Sequence, residues 1–118
     1  MKGRALTLLL ACTAALLVAV SASRAATTSV GVTEREFRIS LGRLKVPHGA
    51  ITFNVTNIGQ DDHDVVIRRH GYQYGASGRI PAGGRTSFTV RLRPGVYNVF
   101  CSLPGHRSWG MITQLTVT

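Results

Sequence analysis

With 118 residues, 44% hydrophobic and 16% charged side chains, 13 glycines and only two cysteines, the chain has the make-up of one small folded domain. That balance excludes a disordered polar chain, a disulfide-stapled mini-protein and a coiled coil, which would be poor in glycine. The formal charge of +9 would suggest a nucleic-acid partner in a cytosolic protein, but the N-terminus argues for export and against that partner.

Lys2 and Arg4 precede an apolar run from Ala5 to Val20, and Ser23 and Ala25 place small residues at positions −3 and −1 of a cut after Ala25. This is the order of parts in a secretory signal peptide, so residues 1–25 are expected to be removed and residues 26–118 to form the working domain, periplasmic or secreted. A permanent anchor is one alternative, although sixteen residues are short for a hydrocarbon core of about 30 Å. A lipoprotein, from Leu9-Leu10-Ala11 before Cys12, is another, although the apolar run continues past Cys12. Residues 26–118 carry 11 Lys and Arg against 5 Asp and Glu, a charge of +6, and a single cysteine, Cys101. A lone thiol in an exported domain is buried and inert, paired to another chain, or bound to a metal.

The remaining chain reads as all-β, because apolar residues alternate with polar ones at period two. Phe37, Ile39 and Leu41 share one face, then Ile51, Phe53 and Val55. A shorter apolar run, His63 to Arg69, follows. Tyr72 to Gly78 shows no alternation and is expected to be loop. Phe88, Val90 and Leu92 share a face in the next segment, Val96 to Cys101 forms another, and Met111, Thr113, Leu115 and Val117 share a face in the last. Turn chemistry punctuates them at Pro47-His48-Gly49, Asn57-Ile58-Gly59, Pro81 to Gly84 and Pro94-Gly95. Short strands with Gly/Pro turns about every ten residues indicate a β-sandwich or barrel.

Chemistry concentrates near the C-terminus. Cys101, His106 and Met111 have the spacing C-x4-H-x4-M on a loop between two strands, and His63 opens an earlier strand. Two imidazoles, a thiolate and a thioether are the donors of a mononuclear blue-copper site, in which the first three lie near one plane and the Met is a weak axial ligand. The plainer alternatives are an inert buried Cys101 and a Met111 that merely fills the core. A Cys101–His106 nucleophilic dyad lacks an orienting third group and leaves the Met spacing unexplained. His48 and His70 stand apart from the motif and read as surface residues.

On these residues the chain resembles the cupredoxin family, the small blue copper proteins of the plastocyanin, azurin and rusticyanin type. The resemblance runs from about Val30 to Val117 and rests on NIGQDDHDVVI (Asn57–Ile67), PGVYNVFC (Pro94–Cys101) and CSLPGHRSWGM (Cys101–Met111). It implies a Greek-key β-sandwich, His63, Cys101, His106 and Met111 as ligands of one copper ion, and an electron carrier, not an enzyme. Many members carry Asn after the first His, where its side chain ties the two ligand loops together. Asp64 stands there in this chain, which leaves the side chain's part in the site open. Trp109 reads equally as a lid on the site or as a loop anchor.

Two functions follow from the resemblance. The first is single-electron transfer between redox partners. The second is periplasmic copper handling, with delivery to a partner. The mature chain has Met111 as its only methionine, and handling proteins often use Met/His clusters, so the carrier is favoured. The scattered arginines imply a solvated positive surface, an acidic redox partner or an anionic membrane surface close by. A monomer is expected.

Overall fold

The computed structural model describes residues 1, 3, 15–22 and 26–118. The apolar run and the cleavage site read from the sequence fall largely on residues 2, 4–14 and 23–25, outside the described residues. Among the described residues no helix is long and apolar enough to cross a membrane. From Thr28 onward the chain is all-β: β1 (Thr28–Arg35), β2 (Arg38–Leu41), β3 (Lys45–Val46), β4 (Gly49–Asn57), β5 (Val66–Arg69), β6 (Tyr72–Ala76), β7 (Arg85–Leu92), β8 (Gly95–Phe100) and β9 (Ile112–Val117).

The strands form two sheets, ordered β2-β1-β4-β7 and β3-β9-β8-β5-β6. The β1–β4 and β3–β9 pairs are parallel and the others antiparallel. The inward residues of the two sheets meet as one core. Val30, Val32, Ile51, Phe53 and Val55 line one side, and Ile67, Tyr97, Val99, Leu115 and Val117 the other. Full burial of such a side chain contributes about 1.5–3 kcal/mol, and a one-residue slip would turn a whole strand's apolar set to water. Phe53 stacks on Phe88 with ring centroids 5.3 Å apart. The Tyr97 hydroxyl donates to the Arg93 carbonyl at 2.8 Å, which satisfies the polar end of an otherwise apolar buried ring.

Three local expectations need correction. Tyr72 to Ala76 is a strand, β6, and not a loop. It lies at the edge of its sheet with Tyr72, Gln73 and Tyr74 exposed, so it has no buried face to produce alternation. Glu36 and Phe37 form the β1–β2 turn, so only Ile39 and Leu41 of that segment pack inward. His63 does not begin β5; it forms an isolated bridge to Ile80, three residues before that strand.

Candidate metal centre

All the residues singled out for chemistry lie at one end of the sandwich. His63 is delivered by the segment after β4, and Asn57 organises that segment. Asn57 is fully buried. Its amide donates to the Asp61 and Ile80 carbonyls at 2.8 and 3.0 Å, and its oxygen accepts from the Gly59 N–H at 2.9 Å. The His63 backbone is then pinned on both sides: its N–H donates to the Ile80 carbonyl at 3.1 Å and its carbonyl accepts from the Ile80 N–H at 2.7 Å.

Cys101 follows the last residue of β8, and Met111 precedes the first of β9. The Cys101 N–H donates to the Met111 carbonyl at 3.0 Å, and the Met111 N–H to the His106 carbonyl at 3.0 Å. These bonds extend the β8–β9 ladder one step and fold the intervening loop back, so His106 returns above Cys101. Gly105 turns that loop with φ 82°, and the Trp109 ring packs so closely on it that a Cβ there would come within 2.8 Å of the indole. Trp109 thus anchors the loop at Gly105 and, 61% exposed, also sets its ring 6.0 Å from that of His106.

Three donor atoms converge. His63 Nδ1 lies 3.1 Å from His106 Nδ1, and Cys101 Sγ lies 4.0 Å from the first and 3.5 Å from the second. Two imidazole nitrogens this close cannot both direct lone pairs at each other unless a proton or a metal cation lies between them. A triangle with these edges has its centre about 2.1 Å from each corner, and metal–imidazole and metal–thiolate bonds are about 2.0–2.3 Å long. The donors present therefore fit one small metal ion. Met111, whose backbone is hydrogen-bonded to those of Cys101 and His106, is fully buried, as are His63 and Cys101, while His106 is half-buried. His48 and His70 are exposed and take no part.

Burial pushes the Cys101 thiol up to about 11, although the Asp64 N–H, 3.5 Å from the sulfur, counters part of the rise. Metal-free Cys101 is thus a neutral thiol at pH 7, and a metal must displace its proton. The side chain of Asp64, left open by the sequence, has a clear place. Its carboxylate accepts from the Ser102 N–H at 2.6 Å and from the Ser102 hydroxyl. The residue after His63 is thereby tied to the residue after Cys101.

Two further residues were not legible as part of the site. Glu36 Oε1 lies within hydrogen-bond distance of His63 Nε2, at 2.9 Å, and Phe37 sets its ring edge-on to His106 with centroids 5.2 Å apart. Hydrogen bonds from the Asp61 and Gln60 N–H groups pull the Glu36 carboxyl down to about 2, so it is a carboxylate at neutral pH. Glu34, two residues earlier, behaves oppositely. It is fully buried, neither carboxyl oxygen has a partner among the described residues, and burial, with Asp64 nearby, pushes it up to about 8. Beside the cluster, the Arg68 and Arg107 guanidiniums stand 5.1 and 4.5 Å from the centroid of the Phe100 ring. They line a cleft of about 570 Å³ with Ser102, Pro104 and Ile112.

Comparison with known proteins agrees with this geometry. The family model described as a cupredoxin-like domain matches residues 7–113. No curated protein sequence matches the chain. Among solved structures, auracyanin A, a "blue" copper protein from the green photosynthetic bacterium Chloroflexus aurantiacus, superposes with a TM-score of 0.68 at 14% identity, covering 79% of this chain and all of that one. Auracyanin from Roseiflexus castenholzii gives 0.61 at 20% identity, covering 78% of this chain and 96% of its own. Rusticyanin from Thiobacillus ferrooxidans gives 0.67 at 21% identity, covering 78% and 77%. These likenesses share the sandwich, and the sandwich, the converging donors and the match over residues 7–113 lead to one conclusion: the chain belongs to the cupredoxin-like domain family.

Proposed function

We propose that the domain is an exported type 1 copper protein that carries single electrons between protein partners and transforms no substrate. The observation that carries this reading is the convergence of His63 Nδ1, Cys101 Sγ and His106 Nδ1 within 4.8 Å of one another. These three would hold the ion, with the Met111 thioether as a weak fourth donor, the donor set of a blue-copper site. When bound, copper supplies a one-electron couple between Cu(II) and Cu(I). The protein's part is to keep the donors in place through both states, and the pinned backbones of His63, Cys101 and Met111 do that. Similarity to auracyanin A, a "blue" copper protein, supports the same assignment.

The half-buried His106, with the exposed Phe37 and Trp109 rings against it, is the route for the electron from the buried donors to solvent. The partner is an acidic protein. Residues 26–118 carry +6, and among the described residues neither Arg68 nor Arg107 pairs with a carboxylate. Both face the cleft beside Cys101, where a partner's carboxylates would be met by guanidinium forks. Export, with cleavage after Ala25, rests on the charge and apolarity of residues 1–25. A monomer without a nucleic-acid partner completes the reading, and an anionic membrane surface nearby is compatible with the same charge.

Copper retention separates carriage from delivery. The copper-loaded protein should pass through repeated reduction and oxidation in the presence of a Cu(I) chelator and keep one copper per chain. Loss of the metal to the chelator at the first reduction would contradict the carrier and favour copper handling.

A further inference from the structure

The tip of the β1–β2 hairpin reaches the donor cluster from the sheet opposite Cys101. Three nitrogens surround Glu36 Oε1: His63 Nε2 lies 2.9 Å away, and the Gln60 and Asp61 N–H groups donate to it at 2.9 and 2.8 Å. Two of the donors are backbone, so the oxygen's position is set by the chain and not by the imidazole. Gly59 completes the seat, since a Cβ there would land on the Glu36 carboxylate.

An imidazole that carries its proton on Nε2 has a bare lone pair on Nδ1. Nδ1 is the atom of His63 that faces His106 Nδ1 and Cys101 Sγ. A neutral acceptor in the place of Glu36 would orient the ring equally well. A carboxylate does more, because it raises the basicity of the imidazole and brings a negative charge close to the metal.

Resting on the copper reading above, we propose that Glu36 is a positioning residue of the metal centre. Its carboxylate holds His63 in the Nε2–H tautomer before metal arrives, and its charge favours the more highly charged Cu(II). A purely structural ion pair would stabilise the loop and leave both the tautomer and the reduction potential alone.

Long-range ¹H–¹⁵N correlation of the histidine rings in the metal-free protein reads the tautomer, and redox titration of the copper-loaded protein reads the potential. Wild-type His63 should carry its proton on Nε2; a proton on Nδ1 would overturn the proposal. In Glu36→Gln the amide oxygen keeps the same three donors, so the tautomer should persist while the potential rises; an unchanged or lower potential would overturn it. Gly59→Ala should displace the carboxylate without removing it, mix the two tautomers and raise the potential as well. A pure Nε2–H tautomer with an unaltered potential in that variant would count against Glu36. If the protein takes up no copper, the functional reading fails, and the tautomer measurement still decides for or against Glu36.

Discussion

Replacing Glu34 should stabilise the domain at neutral pH and flatten the dependence of its stability on pH. Glu34 is the third inward residue of β1, after Val30 and Val32, and it is buried with both carboxyl oxygens unpartnered among the described residues. Burial raises its pKa from 4.5 to about 8 in the folded state. Below pH 4.5 the carboxyl is protonated folded or unfolded and ionisation favours neither state. Above it, the unfolded chain ionises freely and the folded chain cannot until about pH 8, so stability is lost as pH rises through this window. Each pKa unit corresponds to about 1.4 kcal/mol, which puts the loss by pH 7 at about 3 kcal/mol. Urea unfolding of the metal-free protein at intervals from pH 5 to 8 measures this directly. The difference in stability between Glu34→Gln and wild type should grow with pH across the range. Glu34→Leu, which places no unpartnered polar atom in the core, should show the same growth and a larger gain throughout. Parallel stability curves for wild type and Glu34→Gln would refute the reasoning, because they would mean that Glu34 ionises equally in both states.

Asn57→Ala removes three hydrogen bonds from a fully buried position; at a net contribution of about 0.5–1.5 kcal/mol each, it should lower stability by about 2–3 kcal/mol, read as a drop in Tm of about 10–20 °C. Cys101 should resist alkylation in the native metal-free protein at pH 8, because it is buried and its pKa is raised to about 11; calorimetry in buffers of different ionisation enthalpy should show one proton released on metal uptake, and no release would mean that the thiol is not a ligand. Oxidation of the reduced copper protein by the anionic probe hexacyanoferrate(III) should slow with rising ionic strength, since the Debye length is about 10 Å at 0.1 M. Arg107→Glu should slow it further at low salt without altering the absorption spectrum.

The parts of the fold legible in the sequence are those with one buried and one solvated face. β4 alternates Ile51, Phe53 and Val55 inward against polar neighbours, and β9 does the same with Leu115 and Val117. β1 escapes such a reading because its third inward position is the carboxylic acid Glu34, and β6 because an exposed edge strand imposes no pattern. The convergence of Cys101 and His106 is legible because both sit on one short loop whose ends are clamped by adjacent strands. His63 could be added because it follows a polar turn and opens an apolar run. Nothing local links Glu36 to His63, 27 positions away. That contact exists only because the β1–β2 hairpin of one sheet overhangs the end of the other. Asp64 shows the same limit: its residue type was visible, but its hydrogen bonds to Ser102 depend on how two distant segments approach.

The visible absorption of residues 26–118 titrated with Cu(II) tests the central claim most directly. One equivalent should give an intense thiolate-to-copper charge-transfer band near the middle of the visible range, because Cys101 Sγ and two imidazoles share one centre. Cys101→Ser should abolish the band and His63→Ala should strongly weaken it. A colourless stoichiometric Cu(II) complex, or a band that survives in Cys101→Ser, would contradict the account.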